Sequence, residues 1–90
     1  MPVILTVQAR TRDWGRLQAL CRETLVPRAK EVGADRFQLY RNAHDATELL
    51  IVIEVSGRDG ASEMDWVLSD RLAGLLAGGE TDSCFWEPCG

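Results

Sequence analysis

The sequence predicts an α+β domain in which four antiparallel strands form one sheet and two helices cover one of its faces. Three observations predict it. Short stretches alternate apolar and polar residues with period two, two longer stretches carry apolar stripes at the 3-4 spacing of a helix, and the order is strand, helix, strand, strand, helix, strand. Ninety residues suffice for one core, so residues 1–90 are expected to form a single domain.

Val3 to Arg10 reads as the first strand, with Val3, Leu5, Val7 and Ala9 facing one way and Ile4, Thr6, Gln8 and Arg10 the other. A helix should follow from an Asp13 N-cap to Val32, with Gly33 just past its end. Its buried stripe is Leu17, Leu20, Cys21, Leu25, Ala29 and Val32; Pro27 removes a backbone donor, which predicts a kink or break near Thr24 to Pro27. Arg36 to Arg41 is the second strand, and Asn42 to Ala46 has the composition of a hairpin loop. Glu48 to Val55 is the third. Gly57 to Gly60 should turn into the second helix, where Ser62 and Asp65 have the spacing of a capping box. That helix buries Met64, Val67, Leu68, Leu72, Leu75 and Leu76, and Gly78-Gly79 should stop it. Ser83 to Glu87 is a short last strand ended by Pro88.

This order is the split βαβ arrangement of ferredoxin-like folds. Leu49 to Ile53 is apolar on both faces of its strand, although the helices cover only one. A monomer would leave the other face greasy and wet, so a homodimer packed sheet against sheet is expected. Trp66 falls opposite its helix's buried stripe, so it must cover something other than its own core: a ligand, a partner or solvent.

Composition excludes several classes of function. Ten Lys and Arg against fourteen Asp and Glu give a net charge of −4, spread along the chain, which argues against nucleic acid and against an anionic membrane surface. No apolar run nears the length needed to span a bilayer, and the N-terminus lacks the basic start of a signal peptide, so a cytoplasmic location is expected. Three cysteines without CxxC spacing fit reduced thiols, and with His44 the one histidine no Cys/His zinc site is expected. The chain has no GxGxxG, no P-loop and no metal-ligand cluster.

Local marks add a resemblance. Leu39-Tyr40-Arg41 leads into the Asn42 to Asp45 turn, Glu54 stands near the end of the third strand, and Trp66-Val67-Leu68-Ser69 lies in the second helix. In that order, on those elements, the chain resembles the antibiotic biosynthesis monooxygenase family of dimeric α+β barrels. The segment Asp65 to Asp70 is similar to one in the family's haem-degrading branch, which places an Asn on the first strand, a Trp on this helix and an axial His further along. Gln8 lies about where the Asn would be and Trp66 matches the Trp, but Leu76 stands where the His would fall. Haem is therefore disfavoured. The other branch oxidises polycyclic phenols to quinones with no metal or flavin, because an ionised phenol itself passes an electron to oxygen.

What the resemblance implies is a cofactor-independent monooxygenase whose partners are a small aromatic substrate and molecular oxygen, with a pocket between sheet and helices. The alternatives are a haem-binding protein and a non-catalytic binder or isomerase on the same scaffold. Trp66 would stack on a planar ring, Gln8 would hydrogen-bond a phenol or carbonyl, and His44 is the natural general base at neutral pH. Arg71 could hold a phenolate, Tyr40 could donate a proton, Ser69 could cap a second half-helix beginning at Asp70, and Leu76 would line the pocket. Glu54 would find an Arg partner such as Arg10 or Arg41.

Overall fold

A computed structural model describes residues 2–75 and 81–89. Strands β1 (Val3–Arg10), β2 (Arg36–Arg41), β3 (Glu48–Val55) and β4 (Asp82–Trp86) form one sheet in the order β2-β3-β1-β4, every neighbouring pair antiparallel. On the first helical path α1 (Trp14–Leu20) and α2 (Val26–Glu31) are joined by a π-helical turn over Cys21–Leu25, and α3 (Arg58–Leu72) forms the second path. The expected ferredoxin-like βαββαβ architecture is what the chain adopts. Among the described residues no helix is long and apolar enough to cross a membrane.

Alternation along the central strands builds the core. Val3, Leu5, Val7 and Ala9 of β1 stand opposite Val55, Ile53, Ile51 and Leu49 of β3, and all eight are buried beneath the helices. Leu17, Cys21, Leu25 and Ala29 close over them from the first path, and Ala61, Met64, Val67, Leu68 and Leu72 from α3.

Three expectations about the helices need correction. The first is the helix expected from Asp13 to Val32: the break expected near Thr24 to Pro27 is there, but it takes the form of a π turn over Cys21–Leu25, and Asp13 caps α1 through its carboxylate, which accepts from the Arg16 N–H. The Val26 N–H reaches back five residues to the Cys21 carbonyl. A proline ring clashes with the carbonyl four residues earlier, and opening the turn relieves that clash. The second concerns α3, which begins at Arg58 with Gly57 extended at its N-cap, so Ser62 lies inside the helix and caps nothing. Here Gly60 decides, because a Cβ at that position would stand 3.2 Å from the Val32 carbonyl oxygen. Its absence lets the first turn of α3 settle against the end of the first path. The third is Ser69, where α3 runs straight through to Leu72 and no second half-helix starts. Leu75 is half-buried in the turn that follows, and both Leu76 and the Gly78-Gly79 stop lie outside the described residues. The last strand begins one residue earlier than its pattern suggested.

Polar closures fasten the ends. Thr11, fully buried, donates its hydroxyl to the Leu75 carbonyl at 3.1 Å and accepts from the Asp13 N–H at 3.2 Å, tying β1, the start of α1 and the segment after α3. Asp45 accepts from the Thr47 hydroxyl and backbone N–H in the β2–β3 hairpin, and these bonds hold its carboxyl below the usual carboxylate range, with Arg10 adding attraction. Gly33 takes φ +84 at the helix exit, a conformation that favours glycine.

Replacing Thr11 by Val keeps the shape but orphans a buried carbonyl and a backbone N–H. Chemical denaturation should show a loss of about 1–3 kcal/mol. The thiols give a second test. Burial pushes the Cys21 thiol up to about 11, whereas Cys89 is exposed. Alkylation at pH 8 with mass-spectrometric mapping should therefore label Cys89 rapidly and leave Cys21 unmodified in the folded protein, because the thiolate is the reacting form.

Candidate functional site

Helix α3 presents two flanks and a crest. At about 100° per residue, its buried stripe centres opposite Trp66, so the indole rides the crest and is 69% exposed. On one flank a groove of about 470 Å³ separates α3 from the first helical path; Thr24, Pro27, Glu63, Trp66, Val67 and Arg71 are among the residues lining it. Arg28 closes one end by pairing with Glu31 at 2.6 Å and with Glu63 across the groove. Among the described residues Arg71 has only a loose ion pair, with Asp70 at 4.0 Å.

The other flank faces the sheet edge. Between α3 and β4 lies a cleft of about 570 Å³ lined by Arg58, Ser62, Phe85 and Glu87. Phe85, on the helical side of β4 and 49% exposed, offers an aromatic wall. Arg58 donates from Nε to Glu87 Oε1 at 2.7 Å and again from one terminal nitrogen. A guanidinium carries five N–H donors, so among the described residues most of Arg58's capacity is left over. One turn along the same flank, Asp65 has a buried Oδ1 with no hydrogen-bond partner among the described residues.

Of the residues singled out in the sequence, the structure brings Trp66 and Arg71 together in the helix–helix groove. Ser69 stands on the opposite flank of α3. Gln8 and Tyr40 lie on the far face of the sheet, in one row with Leu50 between them, and Tyr40 donates its hydroxyl to Gln38. The expected convergence of Gln8 and Trp66 in one pocket is therefore corrected, because the sheet lies between them. On β1 it is Val7 and Ala9 that point toward the helices. His44 sits exposed in the β2–β3 hairpin, its backbone N–H donated to Asn42 Oδ1 at 2.7 Å, and lines neither cleft. Glu54 stands across from Arg36 rather than from either expected partner: Arg10 pairs with Asp45 and Glu48, and Arg41 packs over the Trp14 ring.

Sequence reasoning missed Arg58 and Phe85. Starting α3 at Ser62 left Arg58 in a loop. The alternation of β4 was the signal for Phe85, but nothing local says which helix it will face.

No protein-family model matches this chain, and no curated protein sequence does. Solved structures do. Protein Rv0793 from Mycobacterium tuberculosis superposes with a TM-score of 0.76 at 20% identity, over 100% of this chain and 97% of its own. SnoaB, a cofactor-independent oxygenase from Streptomyces nogalater, gives 0.77 at 11% identity, over 97% and 92%. A structure named antibiotic biosynthesis monooxygenase gives 0.74 at 12% identity, over 98% and 99%. At these identities the likeness establishes the fold: this chain has the ferredoxin-like fold of structures named antibiotic biosynthesis monooxygenases.

Proposed function

We propose that the protein is a homodimeric, cofactor-independent monooxygenase that oxidises an electron-rich, phenolic aromatic molecule in the cleft between α3 and β4. The observation that carries the reading is that cleft. It lies between a helix and the sheet, its wall is the Phe85 ring, and its helical side supplies the Ser62 hydroxyl and the Arg58 guanidinium. The shared fold with a structure named as a cofactor-independent oxygenase supports it.

The chemistry asked of the chain is modest. An electron-rich phenol gives an electron to oxygen unaided once its proton is accepted, so the protein has to hold the ring, orient it and keep water from the reactive species. Phe85 stacks against the ring and the free N–H donors of Arg58 favour negative charge on the phenol oxygen. Trp66, one turn beyond Ser62, rides the crest between the cleft and the neighbouring groove it lines; an indole so exposed is free to change rotamer, and swinging over the crest would bring it to the mouth of the cleft. Ser69 extends the polar flank. In this reading Gln8, Tyr40, His44 and Arg71 stand away from the chemistry, and no metal or flavin takes part.

The far face of the sheet belongs to the partner subunit. Ile4, Thr6, Leu50 and Val52 form its half-buried centre, flanked by Tyr40, 46% exposed, and Trp86, 54% exposed with its Nε1–H donated to Thr6. A second sheet packed at the usual spacing of about 10 Å would take this surface out of water. Such a dimer belongs in the cytoplasm, where its three free cysteines stay reduced.

Oxygen uptake with anthrone-like phenols is the test. The parent protein should consume oxygen and yield the quinone. Phe85→Ala and Trp66→Ala should each lose about tenfold in kcat/KM, the factor for an aromatic contact worth ~1.4 kcal/mol. No uptake with any such phenol sinks the reading, and a saturable Soret shift on adding haemin would put haem binding in its place. For the dimer, Val52→Lys should halve the mass seen by analytical ultracentrifugation. It should also expose Cys84, which lies on the same face, to rapid alkylation.

A further inference from the structure

We infer that the groove between the first helical path and α3 is a second small-molecule site, one that binds a free aromatic amino acid. It lies on the flank of α3 away from the α3–β4 cleft, so it stands or falls apart from the oxygenase reading.

Helical spacing sets its two walls. Glu63, Val67 and Arg71 recur every four residues along α3, with Trp66 beside them, and Glu23, Pro27 and Glu31 recur at the same interval along the first path. The walls run antiparallel. Arg28 reaches Glu63 at one end, whereas Glu23 and Arg71 come together at the other, where both also line an adjoining hollow of about 380 Å³. Between the two ends stand Pro27 on one wall and Trp66 and Val67 on the other.

The ends differ in how their charges are used. At the first, Arg28 holds Glu31 at 2.6 Å and Glu63 across the groove. At the second, among the described residues, Glu23 takes part in no ion pair and Arg71 has only its chain neighbour Asp70, at 4.0 Å. Glu23 and Arg71 face one cavity with opposite charges and yet form no ion pair with each other. A ligand between them has to satisfy both. A carboxylate fits the guanidinium fork of Arg71, and an ammonium fits the carboxylate of Glu23. A molecule that carries both groups on one carbon is an α-amino acid. Arg16 lines the same hollow and adds a second positive charge for the ligand's carboxylate.

The side chain of that amino acid is set by what comes next along the groove. Trp66, 69% exposed, offers an indole face with Pro27 on the facing wall, a slot suited to a planar ring. The groove's volume of about 470 Å³ lies within the usual range for a small-molecule site.

Isothermal titration calorimetry on the full chain tests this with three probes: L-phenylalanine, phenylpropionate, which lacks the ammonium, and phenylethylamine, which lacks the carboxylate. The parent should prefer phenylalanine about tenfold over each of the others, the factor for one charge-assisted hydrogen bond. Glu23→Gln should lose the preference over phenylpropionate and keep that over phenylethylamine, and Arg71→Gln should do the reverse. Trp66→Ala should weaken phenylalanine about tenfold. All three side chains are exposed, so each variant should keep the parent's Tm. Phe85→Ala, which strips the wall of the α3–β4 cleft, should bind phenylalanine as the parent does. The inference is overturned by a parent that binds phenylpropionate or phenylethylamine as tightly as phenylalanine, or that shows no saturable binding of phenylalanine at millimolar concentration. Loss of binding in Phe85→Ala with none in Arg71→Gln overturns it too, by moving the ligand to the cleft. None of these outcomes changes what oxygen uptake reports about the cleft.

Discussion

The pairing of β1 with β3 is the constraint on which the rest of the molecule hangs. Val3 to Ala9 and Leu49 to Val55 meet with their buried members in register, and that double row is the floor on which both helical paths sit. Side chains alternate across a sheet, so a slip of one residue would turn the row toward water and bring Gln8, Thr6 and Glu54 beneath the helices. The centre of β3, Leu49 to Ile53, is apolar on both faces and would tolerate such a slip, so Glu54, the polar alternation of β1 and the tight hairpin around Asp45 have to specify the register.

On that floor the helices are placed by small local devices. The π turn ahead of Pro27 keeps the first path continuous, so that Leu17, Cys21, Leu25 and Ala29 all reach the sheet. Gly60 removes the one Cβ that would hold α3 off the end of the first path. Thr11 then fastens the far end of α3's path to β1 with one hydroxyl. Together these closures fix the rotation of α3, and with it which residues form the crest and which the flanks.

That rotation makes the two sides of α3 chemically different. Toward the first path the groove is crossed by the bridge from Arg28 to Glu31 and Glu63. Toward β4 the flank carries Arg58 and Ser62 opposite an aromatic ring, and beside them a buried carboxylate oxygen of Asp65 with no partner among the described residues. A core helix that leaves a buried acceptor unmet gives up stability.

Much of the fold was legible in the residues themselves. Period-two alternation placed β1, β2 and β3 to the residue, and the 3-4 stripe identified the face of α3, because burial on one side imposes those periods directly. Pro27 announced its disturbance, and Trp66 its exposure. What the chain alone left open was set by distance in space. Gly60 reads as a turn residue until it meets the Val32 carbonyl, and Gln8 looks like a site residue until the sheet is seen to separate it from Trp66. The cleft joins residues 58–62 to residues 85–87, brought together only because β4 returns to pair with β1. Local patterns record which side of an element is buried, but which elements face each other across a cleft is decided by the packed chain as a whole.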